Sequence, residues 1–122
     1  MSFQNLLLII LPKHRFSKRE IHEFDDVDVI DFGLVVNNGQ LSAQDSFATV
    51  PYDLTAAYAL CIAQIAGAKE ISLVGFDGYE KGDKRQEEMV DVFTLFNNKV
   101  TVTSLTPSTY PVKQGSVYAP NI

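Results

Sequence analysis

Cysteine is nearly missing from this 122-residue chain: Cys61 is the single one. It can form no internal disulfide, so the fold must be held by its core, and such sparing use of cysteine fits a reducing compartment. Long apolar runs are missing too. Residues 6–11 form the apolar stretch nearest the start, far short of the roughly 20 residues that span a bilayer. Basic residues follow that stretch instead of preceding it, which is the wrong order for a signal peptide. A cytoplasmic location is expected. Positive charge is also short: ten Lys and Arg against fifteen Asp and Glu leave a formal net charge of −5. That balance argues against binding nucleic acid by neutralising phosphates across a broad face. Neither of the glycine-rich phosphate loops, GxGxxG or GxxxxGK[ST], occurs. A phosphate ligand must therefore be held differently, or by a part of the protein outside this sequence. There is no internal repeat, low-complexity run or linker, and the length suits a single domain able to bury about two-thirds of its unfolded surface.

What is present centres on residues 51–79, PYDLTAAYALCIAQIAGAKEISLVGFDGY. Asp53 or Thr55 is placed to cap a helix by accepting from the free N–H groups of its first turn. The helix that follows is apolar nearly all round, a pattern expected of one buried on most faces. Its alanines Ala56, Ala57, Ala59 and Ala63 permit close approach to a sheet. Gly67 stands where a left-handed residue usually ends a helix. Residues 71–76 then run apolar without alternation, as in a parallel strand covered on both faces. The strand gives way to Phe76-Asp77-Gly78-Tyr79, a small and acidic loop of the kind that lies at the ligand side of α/β sheets.

Taken in order, residues 6–11 read as a first strand stopped by Pro12. Ser17 and Glu20 form a capping box for a short helix to about Phe24. Residues 27–32 suit a half-exposed strand. Asn37-Asn38-Gly39 is a turn signal, with residues 34–36 as one arm of a hairpin or the start of a long loop. Met89, Val92, Phe93 and Phe96 recur at helical spacing within an amphipathic helix over 84–97. Val100, Val102 and Leu105 alternate as a last strand. The extended tail from Thr106 carries Tyr110, Val112, Val117 and Tyr118, and is expected to pack on its own domain or on a partner. This alternation predicts an α/β fold, a three-layer Rossmann-like sandwich with a mostly parallel sheet.

The segment Tyr52-Asp53-Leu54-Thr55-Ala56-Ala57-Tyr58, with Gly67-Ala68-Lys69-Glu70-Ile71 and Gly75-Phe76-Asp77-Gly78-Tyr79, resembles the bacterial sialyltransferases of the Campylobacter type. It is also similar to the Rossmann-like domain of 6-hydroxymethylpterin diphosphokinases. In those sialyltransferases two tyrosines at this spacing hold the phosphate of the leaving nucleotide, which the resemblance carries to Tyr52 and Tyr58. The Gly-x-Asp-x-Tyr pattern falls on Gly75, Asp77 and Tyr79. The family's histidine base lies after that pattern, whereas His14 and His22 lie before it and match nothing. The tail SLTPxxYPxKQxSxY, residues 104–118, resembles C-terminal domains attached to aldolase-type TIM-barrel enzymes of surface-polysaccharide pathways. The resemblance implies a C-terminal piece of a larger protein, with a phosphorylated nucleotide or activated sugar as ligand. It also leaves open a part in a glycosyl- or phosphoryl-transferase, or a non-catalytic accessory or oligomerisation unit of an aldolase.

Each candidate residue has two readings. Tyr52 and Tyr58 are either core tyrosines with satisfied hydroxyls or phosphate ligands at a helix start, where an anion is favoured. Thr55 joins them as a ligand-binding candidate. Asp77, with Tyr79, is either a ligand contact at a strand's carboxyl end or ordinary Asp-Gly turn chemistry. Asp77, Glu80 and Asp83 do not match calcium-loop spacing, so no metal is expected, and no cofactor. The cluster Lys13, Arg15, Lys18 and Arg19 either holds an anion or is a solvated helix start paired with the acidic residues after it. Lys81, Lys84 and Arg85 allow the same two readings. His14 beside this cluster is either a base or a surface histidine, a matter of geometry. Cys61 reads as a small core residue. The expected partners are a phosphorylated small molecule and, by the resemblance, a TIM-barrel aldolase domain or further copies of the chain. Nucleic acid and membrane are not expected.

Overall fold

The computed structural model describes residues 8–118. Strand β1 (Leu8–Leu11) ends at Pro12 and a 3-10 turn over Lys13–Arg15; residues 6 and 7 of the expected strand lie outside the described residues. Helix α1 (Lys18–His22) starts with the expected capping box. Ser17 Oγ accepts from Glu20 N at 3.1 Å, and Glu20 Oε1 accepts from Ser17 N at 2.9 Å. Those bonds hold the Glu20 carboxyl below its ordinary range. The helix ends slightly before Phe24, with Glu23 as its C-cap.

The next segment is extended throughout. Strand β2 (Asp28–Asp31) pairs in parallel with β1, and β3 (Gly33–Val36) pairs in parallel with β5 (Phe47–Val50). The amide of Phe32 donates to Leu11 and the next amide, that of Gly33, donates to Ser46. Successive amides of an extended chain point to opposite sides, so one continuous segment serves two ladders. A short β4 (Ser42–Ala43) pairs antiparallel with β5. The hairpin is therefore made by β4 and β5. Residues 34–36 are not one of its arms: β3 instead lies parallel to β5, and the Asn37–Gly39 turn only starts the connection. That pairing joins residues distant in sequence, which a local turn signal cannot report.

Helix α2 (Thr55–Ile65) follows β5. Neither expected side chain caps it: Leu54 is the N-cap, without a side-chain hydrogen bond, and Asp53 is drawn away by Arg15. Ala57, Tyr58, Leu60 and Cys61 face the core, while Thr55, Ala59 and Ile65 are exposed. The helix thus has a wet side that its composition hides, because alanine and isoleucine occupy it. Gly67 is left-handed at φ +90°, as expected after a helix end. Strand β6 (Glu70–Leu73) is shorter than the apolar run, and Val74 beyond it is 61% exposed. Only Leu73 of β6 is buried, so this strand is not covered on both faces. Its paired neighbour is parallel: β7 (Thr101–Ser104), which in turn pairs in parallel with β8 (Lys113–Gln114) from the tail.

Helix α3 (Lys84–Phe96) buries Met89, Val92, Phe93 and Phe96, the face its spacing predicts. Asp83 caps it, accepting from Arg85 N at 2.9 Å. Phe93 and Phe96 are fully enclosed. The Phe93 ring meets Phe76 edge-on with centroids 6.3 Å apart and Tyr110 at 5.2 Å. Burying such a ring contributes about 1.5–3 kcal/mol, so α3 fastens both the loop after β6 and the tail. Within the tail, Tyr110 is buried and Val112 packs on the core, whereas Val117 and Tyr118 are exposed. The chain is a mixed α/β fold with parallel strand pairing, and no described helix is long and apolar enough to cross a membrane.

Candidate ligand-binding site

The sequence candidates fall into three separate hollows. One, about 300 Å3, lies past the carboxyl ends of β1 and β5. Pro12, Arg15, Asp53, Thr55 and Tyr58 line it, over an apolar floor that includes Ile10 and Leu34. The first turn of α2 forms its wall, and no side chain caps that turn. Arg15 Nη1 sits on the rim, 3.1 Å from Asp53 Oδ2. Arg15 is thus a member of the basic cluster that the fold brings to a concavity. The Tyr58 hydroxyl donates to the carbonyl of Phe32, and burial, followed by the charge of Asp31, pushes it up to about 12. It is a neutral group turned toward Phe32, and Tyr58 is one of the residues lining the hollow.

A second hollow, about 430 Å3, opens at the carboxyl end of β6. Asp77, Tyr79, Tyr110 and Met89 line it, with the backbone of Gly75 and Gly78 and with Ala56 from α2. Its loop has no regular structure yet is well tied down. Gly75 N donates to Thr106 Oγ1 at 3.0 Å, Ser108 Oγ to Phe76 O at 2.6 Å, and Thr109 N to Asp77 O at 2.9 Å. Gln86 of α3 accepts from Tyr79 N at 2.8 Å and donates to Thr109 Oγ1 at 3.0 Å. The Arg85 guanidinium lies 4.2 Å from the centre of the Tyr79 ring and is paired with Asp83, whose carboxyl it holds below the ordinary range.

Tyr52 lies in neither of these hollows. It lines a third, about 230 Å3, with Asn38, Gly39, Pro51 and Asp91. Its hydroxyl donates to Asp91 Oδ2 at 2.6 Å, a bond that raises its pKa. Tyr52 and Tyr58 therefore do not converge on one hollow, whereas Thr55 joins Tyr58 and Asp77 joins Tyr79. Thr55 lines the first hollow and the next residue, Ala56, lines the second, so the first turn of α2 contributes to both.

The remaining candidates have simple environments. His14 Nε2 accepts from the backbone N–H of Leu34 at 3.1 Å, so this nitrogen braces the turn after β1. His22 pairs with Asp25 on the surface. Cys61 is fully buried, and burial pushes its thiol up to about 11, which keeps it out of the reactive thiolate form. Among the described residues no group of three or more His, Cys, Asp or Glu side chains is placed to hold a metal ion. Sequence reasoning missed the Arg15–Asp53 pair, 38 residues apart, and the roles of Tyr110, Thr109 and Gln86. No local pattern could have revealed contacts of that separation. No family model, curated protein or solved structure matches the chain.

Proposed function

We propose that this domain is a Rossmann-like module that binds a phosphorylated small molecule, a nucleotide or an activated sugar, in the hollow between Arg15 and the first turn of α2. One observation carries the reading: a guanidinium and an uncapped helix start border the same concavity, past the carboxyl ends of parallel strands. Helix N–H groups aim partial positive charge at such a place, and a guanidinium matches phosphate oxygens in pairs. The strands pair in three groups, β1 with β2, β3-β5-β4 and β6-β7-β8; in the same reading these groups line up under helices on both sides, the three-layer arrangement in which ligands sit at strand ends. Asp53 pairs with Arg15 until an anion displaces it. The chain acts here as a binding module, with its base or transferase partner, where one operates, supplied from elsewhere.

Calorimetric titration of the whole chain with inorganic phosphate, cytidine monophosphate and hexose phosphates tests this. Binding that weakens at least tenfold in Arg15→Gln, a loss of about 1.4 kcal/mol, is the expected result. Absence of binding by any of the three, or equal affinity in wild type and Arg15→Gln, would overturn it.

A further inference from the structure

The hollow at the end of β6 has the wrong chemistry for a phosphate. Its lining residues include Asp77, which is exposed, and no Lys, Arg or His. The Asp77 carboxylate makes no hydrogen bond and no ion pair among the described residues, although the backbone carbonyl of the same residue accepts twice from Thr109. A cationic ligand fares little better, because Arg85 already occupies a face of Tyr79 where a cation would sit. A flat base lacks a clear stacking platform as well: Tyr110 has one face against Phe93 and Tyr79 one face under Arg85. What remains is a pair of free carboxylate oxygens, phenolic hydroxyls, and apolar surface from Met89, Phe76 and Ala56. This set suits a neutral ring with hydroxyls on its edge and C–H groups on its face. Adjacent hydroxyls can donate to the two oxygens of one carboxylate, and charge-assisted bonds of that kind are the stronger ones. The hydrogen bonds that Thr106 and Gln86 accept from the loop and that Ser108 and Thr109 donate to it hold it in place beforehand, so little ordering is left for binding.

We propose that this hollow holds a neutral polyhydroxyl ring, with Asp77 accepting from neighbouring sugar hydroxyls and Tyr110 contributing its phenol. The two hollows, which share the first turn of α2 as a wall, then take the two ends of one phosphorylated sugar, phosphate at Arg15 and sugar at Asp77. This last step rests on the phosphate reading above; the sugar site itself does not.

The experiment titrates the whole chain with methyl glucoside, methyl galactoside, methyl mannoside, inorganic phosphate, and glucose, galactose and mannose 1-phosphates. At least one glycoside should bind, and its hexose phosphate should bind at least tenfold more tightly than inorganic phosphate. Asp77→Asn, an exposed and nearly isosteric change, should weaken glycoside and hexose phosphate at least tenfold while inorganic phosphate is unaffected. Tyr110→Phe should weaken the same two ligands, and thermal melting should show both variants folded. Failure of every glycoside and hexose phosphate to outbind inorganic phosphate would overturn the proposal. Equal weakening of phosphate and sugar ligands by Asp77→Asn would do the same. The phosphate reading fails separately, through Arg15→Gln and inorganic phosphate alone.

Discussion

A Cβ on Gly78 would collide with the Thr109 hydroxyl oxygen, and Gly78 is held at φ +110°. Both facts require glycine, one by contact and the other by backbone conformation. Gly78→Ala must move Thr109, which bonds Asp77 O and Gln86, so the loop and the tail loosen together. A cost of about 1–3 kcal/mol is expected. Gly82→Ala, at φ +90° with open space around it, should cost less, about 1–2 kcal/mol. Urea midpoints of the two variants give the order directly.

Asp53 and a bound anion compete for Arg15 in the proposed module. Asp53→Asn removes the competitor and leaves Arg15 and the start of α2 in place. Phosphate should then bind a few-fold more tightly, and the gain should shrink as added salt screens the exposed charges. Titrations at low and high ionic strength check both parts; weaker binding in Asp53→Asn would show that this carboxylate helps position the guanidinium instead.

Phe93 touches Phe76 and Tyr110, both of which line the second hollow, and is wholly enclosed. Truncation to alanine should cost about 3–5 kcal/mol, read as a lower urea midpoint. Near-ultraviolet circular dichroism of tyrosine should weaken as well, because Tyr110 loses the ring it rests on.

Alkaline pH offers a test of the core. Burial pushes the Tyr58 hydroxyl from 10.0 up to about 12 and the Cys61 thiol from 9.0 up to about 11. The unfolded chain gives up these protons at lower pH than the folded one, so stability falls as pH rises. The contribution is present in full below about pH 9 and is lost progressively between about 9 and 12. Melting temperature followed across that window should drop less steeply in Cys61→Ala. Tyr58→Phe should start about 1–3 kcal/mol less stable, since it leaves the buried carbonyl of Phe32 without its donor.

Much of the fold was legible because some signals are local. Ser17 and Glu20 sit three apart and cap α1, Gly67 ends α2, and the spacing of Met89, Val92, Phe93 and Phe96 announces both α3 and its buried face. Other features depend on partners far along the chain. Asp53 looks like a cap until Arg15 is seen beside it, and residues 34–36 look like a hairpin arm until β5 is found parallel to them. The apolar run after Gly67 overstates its strand because hydrophobicity alone does not mark where pairing stops, and Val74 lies in the open. Of the site, the residue types were readable, but their sorting into three hollows was not. Tyr52 and Tyr58 are six apart and near in sequence, yet each spends its hydroxyl on a different tertiary contact.

The adjacent amides of Phe32 and Gly33, bonded to Leu11 on one side and Ser46 on the other, act as a dowel through two joints. Neither ladder can slip along this segment without dragging the other out of step. Inserting or deleting one residue there would turn every later side chain of β3 upside down, and a deletion would place Val35 where Leu34 is now enclosed. Small length changes at this point should be far less tolerated than in the connection through Gly39.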